Sequence, residues 1–150
     1  MDIPKLTVAI ISFNRLKFLR PTLESMYKTI DYPNIEWMVV DSSTEDKLRP
    51  YLESLEWLDQ PIFLNSDASH TDAMNEVIKK ATGDALLLWP DDMQFMVAGD
   101  WMKDYMEVTM QNKWVGSITM NFLRRKTHRR VFGLEKFKYW KKLLVDFKLY

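Results

Sequence analysis

Two adjacent carboxylates, Asp91 and Asp92, directly follow an apolar run and are the residues of this sequence best suited to hold a metal ion. A hard divalent cation such as Mg²⁺ or Mn²⁺ is commonly bound by one or two carboxylates together with the oxygens of a bound diphosphate. Such a cation would act as a Lewis acid on a departing diphosphate. Aspartate is also common in turns, so a strand end followed by a turn is the alternative interpretation of this pair.

Two further strand ends carry polar side chains. Ser12, Asn14 and Arg15 lie at the end of the first apolar stretch, and Asp41 ends the second. Because the carboxyl ends of parallel strands meet at one edge of a sheet, we expect these residues to lie near the acidic pair. Asp41 would there hydrogen-bond a base or a ribose, or alternatively cap the helix that follows it.

The elements that must position these residues alternate between strand and helix. Apolar, β-branched runs predict the strands, and apolar residues at helical spacing predict the helices. The sequence therefore predicts a doubly wound α/β fold, with a mostly parallel sheet between helices in three layers. Predicted strands cover 6–12, 35–40, 61–64, 85–89 and 114–120, and predicted helices cover 16–29, 44–58, 69–81, 101–111 and 134–147.

Three local predictions are more specific. The unbroken apolar run of residues 85–89 predicts a strand that is buried on both faces. Pro21 is tolerated best within the first turn of a helix, so the first helix is expected to begin later than Leu16. Ser43 stands three residues before Asp46, which is the spacing of a capping box for the second helix.

Composition limits the class of protein. The chain of 150 residues is 47% hydrophobic and 28% charged, which is typical of a globular protein. It has no cysteine, and His70 and His128 are its two histidines, so disulfides and a zinc site are not expected. No segment has the pattern of a signal peptide or of a membrane span of about 18 apolar residues. We therefore expect a cytoplasmic protein.

Charge divides the chain into two parts. Residues 121–150 contain ten Lys and Arg against two acidic residues, a net charge of +8, whereas residues 1–120 carry −8. We predict one domain over residues 1–120 and a basic, aromatic tail that packs on it. The alternative for the tail is peripheral contact with a membrane. No nucleic-acid motif accompanies the basic residues, so no nucleic acid is expected as a partner.

The turn after the first strand has the sequence SFNR and contains no glycine. Folds that hold phosphates with backbone amides need a glycine-rich turn at this place. If this sheet binds a phosphorylated ligand, another group must neutralise its charge. A metal ion at Asp91 and Asp92 is the group that the sequence favours.

Three strand-end segments together resemble the nucleotide-sugar-binding half of the family 2 glycosyltransferases, inverting enzymes with the Rossmann-like GT-A fold. The segments are LTVAIISFNRLKFLRPTLESM, IEWMVVDSSTED and MNEVIKKATGDALLLWPDD. The resemblance implies a UDP- or GDP-sugar as the donor and Mn²⁺ or Mg²⁺ as the cofactor. It leaves open whether the acceptor is a glycan, a lipid or a protein.

The resemblance also gives the site residues their roles. The base pocket would be formed by polar residues at the ends of the first two strands, Ser12, Asn14 and Asp41. Asp92 would be the direct metal ligand, and Asp91 would face the ribose or a bound water if it does not bind the metal itself. Met74 stands where an Arg often contacts the diphosphate. Arg15, Lys79 or the basic run 124–126 could compensate for it, but the favoured alternative for each is a solvated surface cation.

Two departures from the family pattern bear on activity. Pro90 takes the first position of the usual aspartate triplet, which leaves a DxD-like pair. The family's catalytic base lies further downstream, and no carboxylate after Asp92 lies in a recognisable motif, so the catalytic residue is unknown. The alternative function is therefore a truncated or non-catalytic module that binds the nucleotide sugar without transferring it.

Overall fold

The computed structural model describes residues 3–44, 47–95, 98–112 and 115–117. Contacts divide the chain after Met110, and few residues beyond that point are described. The predicted tail of 121–150 and the predicted helix of 134–147 lie outside the described residues. Of the strand predicted at 114–120, residues 115–117 are described and have no regular secondary structure.

Four parallel strands form one sheet in the order β3-β2-β1-β4. Their bounds are Leu6–Ser12 for β1, Ile35–Asp41 for β2, Gln60–Phe63 for β3 and Ala85–Pro90 for β4. The register pairs Ser12 with Asp41 and Ile11 with Pro90, so the carboxyl ends of these three strands lie side by side. The predicted α/β fold with a parallel sheet is confirmed.

Helices follow the strands and cover the sheet. Their bounds are Leu16–Thr29 for α1, Leu48–Glu53 for α2, His70–Lys80 for α3 and Trp101–Gln111 for α4. Ala73 and Val77 of α3 pack against Ala9, Met38 and Val40 on one face of the sheet. Strand residues that point to the opposite face, Val8 and Ile10, are also fully buried. None of the helices within the described ranges is long and apolar enough to span a membrane.

The helix caps differ in part from the predictions. Ser69 caps α3: its hydroxyl accepts from the Asp72 amide at 3.1 Å, and the Asp72 carboxylate accepts from the Ser69 amide at 2.9 Å. The capping box predicted for α2 is wrong, because this helix begins at Leu48 and Ser43 bonds to the turn after β1 instead. With no side-chain cap, α2 spans six residues and ends at Glu53.

Pro21 lies in the second turn of α1, so the prediction that this helix begins after Leu16 is wrong. The Arg15 carbonyl accepts hydrogen bonds from the amides of Phe18 and Leu19, at 2.8 and 2.9 Å, which fixes the first turn. Pro21 removes one helical hydrogen bond further along. The helix continues because its core residues are fully buried, namely Leu19, Leu23 and Met26.

β4 is an edge strand of the described sheet. Leu86 and Leu88 are 42% and 38% exposed, whereas their neighbours Leu87 and Trp89 are half-buried. The prediction of a strand buried on both faces is therefore wrong within the described residues. Leu86 and Leu88 are exposed because α3 packs on β1 and β2 and does not cover the same face of β4.

A buried carboxylate, Glu36, ties the amino ends of the strands together. It accepts hydrogen bonds from the hydroxyl of Thr7 at 2.5 Å and from the amide and hydroxyl of Thr82 at 2.9 and 2.7 Å. The side chains of Lys5 and Gln60 donate to it at 3.3 and 2.9 Å. Burial raises the pKa of Glu36, but these hydrogen bonds outweigh burial and lower the pKa to about 2.

Gly83 belongs to the same network, and we expect Gly83→Ala to lower the free energy of unfolding by about 3 kcal/mol. A Cβ at this position would lie 2.5 Å from the Thr7 amide nitrogen and 2.9 Å from the Ala85 carbonyl oxygen. Both are backbone atoms of strands, so they cannot yield without shifting the sheet. Urea denaturation followed by circular dichroism measures the loss.

Gly116→Ala is the matched control, because a Cβ there meets no atom within 4 Å. It should change the free energy of unfolding by no more than about 0.5 kcal/mol. If Gly83→Ala were equally mild, the close packing of Thr82-Gly83 against β1 would not be a stabilising feature of the fold.

Candidate functional site

The carboxyl ends of β1, β2 and β4 bring the predicted site residues to one rim. Ser12 and Asp41, paired in register, are both buried, and Asp91 directly follows β4 with 5% of its surface exposed. The Ser12 hydroxyl donates to Asp91 Oδ2 at 3.3 Å. Thr22 of α1 donates to the Asp91 carbonyl oxygen at 3.0 Å. The first acid of the pair is thus held by β1 and α1.

Arg15 bridges the two acids. Its Nη1 lies 3.0 Å from Asp91 Oδ1, and its Nη2 lies 2.9 Å from Asp92 Oδ2. Charge-assisted hydrogen bonds of this kind are about twice as strong as neutral ones. The Arg15 side chain is 43% exposed and that of Asp92 is 37% exposed, so the bridge faces solvent on its Asp92 side. All three were predicted from the sequence as site residues, but the contact between them was not predicted.

Burial raises the pKa of the Asp91 carboxyl above its ordinary value. The Arg15 guanidinium and the Ser12 hydroxyl oppose this rise, and the negative charge of Asp92 adds to it. A buried acid next to another acid is ionised at the lowest cost when a cation stands beside it. A positive charge at this point of the rim therefore favours the ionised form of Asp91.

The turn after β1 is joined to the segment after β2. Asn14 has a φ of 52°, a left-handed conformation that asparagine tolerates better than most residues. Its amide nitrogen donates to Ser43 Oγ at 2.6 Å, and its side-chain oxygen accepts from the Thr44 amide at 2.9 Å. Ser43 in turn donates to Asp41 Oδ1. These contacts orient the Asp41 carboxylate and engage the Asn14 side chain within the protein.

A crevice with a volume of about 190 Å³ opens beside Asp41. Two of its residues, Arg49 and Phe63, were not predicted from the sequence as site residues. The Arg49 guanidinium lies 3.9 Å from the centre of the Phe63 ring. Phe63 ends β3 and so lies on the predicted rim, which is the signal that would have found it. The crevice is lined by Asp41, Ser43, Thr44, Arg49, Pro50, Phe63 and Leu64.

Lys79, one of the cations proposed to contact the diphosphate, forms an ion pair on α3 instead. Its ammonium lies 2.9 Å from Glu76 Oε1 on the same helix, and both line a separate polar crevice of about 350 Å³ beside α3. The basic run 124–126 lies outside the described residues. Among the three candidates, Arg15 is the cation that the described structure places on the acidic pair.

An aromatic stack fixes the segment that follows the acids. The rings of Trp89 and Phe95 stack with centroids 4.3 Å apart, and Phe95 stacks on Trp101 of α4 at 5.2 Å. The Trp89 indole nitrogen donates to the Met93 carbonyl oxygen at 2.7 Å, so it closes the turn that carries the acids. The acidic pair therefore lies in a turn that packs against this aromatic stack.

The acidic pair fits a hard divalent cation. Within the described ranges there is no group of three or more His, Asp or Glu residues that could hold a metal. Asp91 and Asp92 would supply two carboxylates, and Mg²⁺ or Mn²⁺ usually completes such a site with water and phosphate oxygens. The cationic Arg15 between the acids contacts an oxygen of each carboxylate.

The parallel sheet, with an acidic pair and a crevice at its carboxyl rim, is an α/β fold of the kind found in solved GT-A glycosyltransferases. Residues 7–101 match the family model described as glycosyl transferase family 2, and the chain belongs to this family. The resemblance seen in the sequence is confirmed. Among curated proteins, no match to this sequence was found.

Solved glycosyltransferase structures share this fold. The structure of TarS from S. aureus is 25% identical with a TM-score of 0.58, over 71% of this chain and 20% of TarS. A complex of TarS 1-349 with UDP-GlcNAc has 22% identity and a TM-score of 0.58, over 80% and 38% of the two chains. The mannosyltransferase PcManGT from Pyrobaculum calidifontis, in complex with GDP-Man and Mn²⁺, has 24% identity and a TM-score of 0.54, over 63% and 29%. The chain thus spans well under half of each relative.

Proposed function

We propose that the rim binds a nucleoside-diphosphate sugar together with Mn²⁺ or Mg²⁺, and that the protein transfers the sugar to an acceptor with inversion. The observation that carries the proposal is the meeting of Asp91, Asp92 and the Asp41 crevice on one edge of the sheet. Membership in glycosyl transferase family 2 supports the reaction class. Relatives in complex with UDP-GlcNAc and with GDP-Man and Mn²⁺ support the class of donor.

The crevice beside Asp41 suits the base of the nucleotide. Asp41 is an acceptor for a base N–H group, and its carboxylate is oriented by Ser43. The Phe63 ring, with Arg49 against its face, forms a flat wall of the kind on which bases stack. Uracil and guanine both present a ring N–H beside a carbonyl oxygen, so the crevice suits a UDP- or a GDP-sugar.

Asp91 and Asp92 would hold the metal next to the diphosphate. When bound, the metal would supply Lewis acidity that stabilises charge on the leaving diphosphate. Ser12 and Thr22 keep Asp91 in place, and Arg15 adds a positive charge within reach of the same phosphates. Transfer with inversion also needs a base that deprotonates the acceptor. We assign no residue to that role.

Calorimetric titration of the full chain with UDP and with GDP, with and without Mn²⁺, tests the proposal. We expect one of the two nucleotides to bind with an affinity that rises strongly when Mn²⁺ is present, because Mn²⁺ held by Asp91 and Asp92 would neutralise charge on the diphosphate. ADP is the matched control for the base. Absence of metal-dependent binding of both UDP and GDP would contradict the proposal.

A non-catalytic module would pass this binding test, so a second measurement is needed. A working transferase site releases donor sugar to water slowly when no acceptor is present. We expect slow, metal-dependent hydrolysis of the UDP- or GDP-sugar whose nucleotide binds. Tight binding without hydrolysis over days would favour the non-catalytic alternative.

Asp41→Asn is expected to weaken nucleotide binding about 20-fold, because a hydrogen bond to a charged group contributes about 1.5–3 kcal/mol. Mn²⁺ binding should stay near that of the wild type, since Asp41 is not part of the acidic pair. Calorimetry with nucleotide at saturating Mn²⁺ measures the first effect, and titration of Mn²⁺ alone measures the second.

Asp67→Asn is the control for this substitution. Asp67 is exposed and lines the separate crevice beside α3, so its replacement should leave nucleotide affinity unchanged. If Asp67→Asn weakened binding and Asp41→Asn did not, the base would occupy the crevice beside α3 instead.

A further inference from the structure

We infer that Arg15 competes with the divalent cation for the acidic pair: its guanidinium neutralises Asp91 and Asp92 when they hold no metal, and it turns to the diphosphate when nucleotide and metal bind together. The inference deepens the proposed function and rests on it, since it takes Asp91 and Asp92 as the metal-binding acids. It assigns Arg15 a role in the order and coupling of binding.

The geometry of the bridge is the first support. An Arg often places both of its terminal nitrogens on one carboxylate. Here each nitrogen contacts a different acid, Asp91 Oδ1 at 3.0 Å and Asp92 Oδ2 at 2.9 Å. The guanidinium therefore lies between the two carboxylates and uses one oxygen of each. A metal ion held by both acids must contact oxygens of the same two carboxylates, so the metal ion and the guanidinium compete for them.

The second support is that the two carboxylate oxygens of Asp91 have different partners. Asp91 Oδ2 accepts the hydrogen bond from Ser12 and is turned toward β1. Oδ1 is the atom that faces Arg15. Departure of the guanidinium would therefore open Oδ1 without disturbing the contact with Ser12.

Arg15 has a fixed backbone and a movable side chain. Its carbonyl oxygen accepts from the amides of Phe18 and Leu19, which anchors the residue at the start of α1. The side chain is 43% exposed and passes over the Phe18 ring, with Cζ 5.0 Å from the ring centroid. The guanidinium can therefore swing along this exposed face while the helix stays in place.

Charge gives the direction of the effect. Two carboxylates and one guanidinium leave a net charge of −1, whereas the acids alone carry −2 and attract a divalent cation more strongly. A diphosphate beside the acids offers Arg15 another partner of high charge. Nucleotide binding thus frees the acids for the metal, and by reciprocity the metal favours the nucleotide. Couplings of this kind typically amount to between about 5- and 150-fold.

Arg15→Gln separates this role from a merely structural one. We expect Mn²⁺ alone to bind the variant about tenfold more tightly than the wild type, at the low end of typical couplings. The affinity for UDP or GDP at saturating Mn²⁺ should fall about tenfold by the same coupling. Electron paramagnetic resonance of free Mn²⁺ measures the first quantity and calorimetry the second. If Arg15 only braced the rim, both affinities would fall.

Two variants serve as controls, and circular dichroism checks the folding of each. Arg20→Gln removes a cation of the same helix that stacks on the Tyr51 ring at 4.7 Å, and it should leave Mn²⁺ affinity unchanged. Arg15→Lys keeps the charge without the two-pronged contact, so its Mn²⁺ affinity should fall between those of the wild type and Arg15→Gln.

Failure of the inference differs from failure of the proposed function. If folded Arg15→Gln bound Mn²⁺ no more tightly than the wild type, the competition would be absent while the metal site stood. If neither protein bound Mn²⁺, with or without nucleotide, the metal site would be wrong and the inference would fall with it.

Discussion

Asp92→Asn is expected to weaken Mn²⁺-dependent binding of UDP or GDP at least about 100-fold. Losing a residue that only hydrogen-bonds to a metal ligand usually weakens binding by less than this. The substitution removes one of the two carboxylates at the rim and leaves the charge of Arg15 opposed by Asp91 alone. The free energy of unfolding should change by no more than about 0.5 kcal/mol, because partly exposed ion pairs contribute little to stability. Calorimetry and urea denaturation on the same samples measure the two effects.

Asp100→Asn is the matched control, since Asp100 is exposed at the start of α4 and is not one of the two rim acids. It should bind Mn²⁺ and nucleotide as the wild type does. Nucleotide affinity that stayed unchanged in Asp92→Asn would remove the acidic pair from the proposed site, whatever the family membership of the chain.

Glu36→Gln is expected to lower the free energy of unfolding by about 3 kcal/mol at pH 7, as is typical when a buried charged network loses its central group. The carboxylate accepts from Thr7, from Thr82 and from two further side chains. A glutamine at this position would direct its NH₂ group at some of these donors and leave them unpaired. Urea denaturation monitored by circular dichroism gives the difference from the wild type.

The effect of Glu36→Gln on the free energy of unfolding is expected to depend on pH. The pKa of Glu36 falls from an ordinary value of 4.5 to about 2 on folding. A lowered acid pKa stabilises the fold above the unfolded value, and this contribution is lost as the pH falls through the folded value. The difference between wild type and Glu36→Gln should thus be full at pH 7 and should shrink between about pH 4.5 and pH 2.

Glu53→Gln is the control for both measurements. Glu53 is exposed at the end of α2, so its replacement should leave the free energy of unfolding close to that of the wild type at each pH. A gap between wild type and Glu36→Gln that stayed constant from pH 7 to pH 2.5 would contradict the role of the charge, since the effect would then be one of shape alone.

The site residues show what local sequence could and could not provide. Asp41 and Asp91 were predictable as neighbours, because each ends a strand and parallel strands align their carboxyl ends. Arg49 was missed because the cap of α2 was misplaced at Ser43, and Phe63 was missed because the third strand was predicted to end one residue later. Cytoplasmic location and membrane contact of the basic tail stay predictions.

The sequence by itself determined the order of strands and helices, the parallel α/β fold, the family and the polar strand ends at the rim. Periodicity and strand-end chemistry express contacts between residues close in the chain, which local pattern can reveal. Only the tertiary structure decided that β4 is an edge strand of the described sheet and that Ser43 orients Asp41. It also placed Arg15 on both acids, 76 and 77 residues further along the chain. Contacts across such distances depend on how whole layers pack, which no local pattern contains.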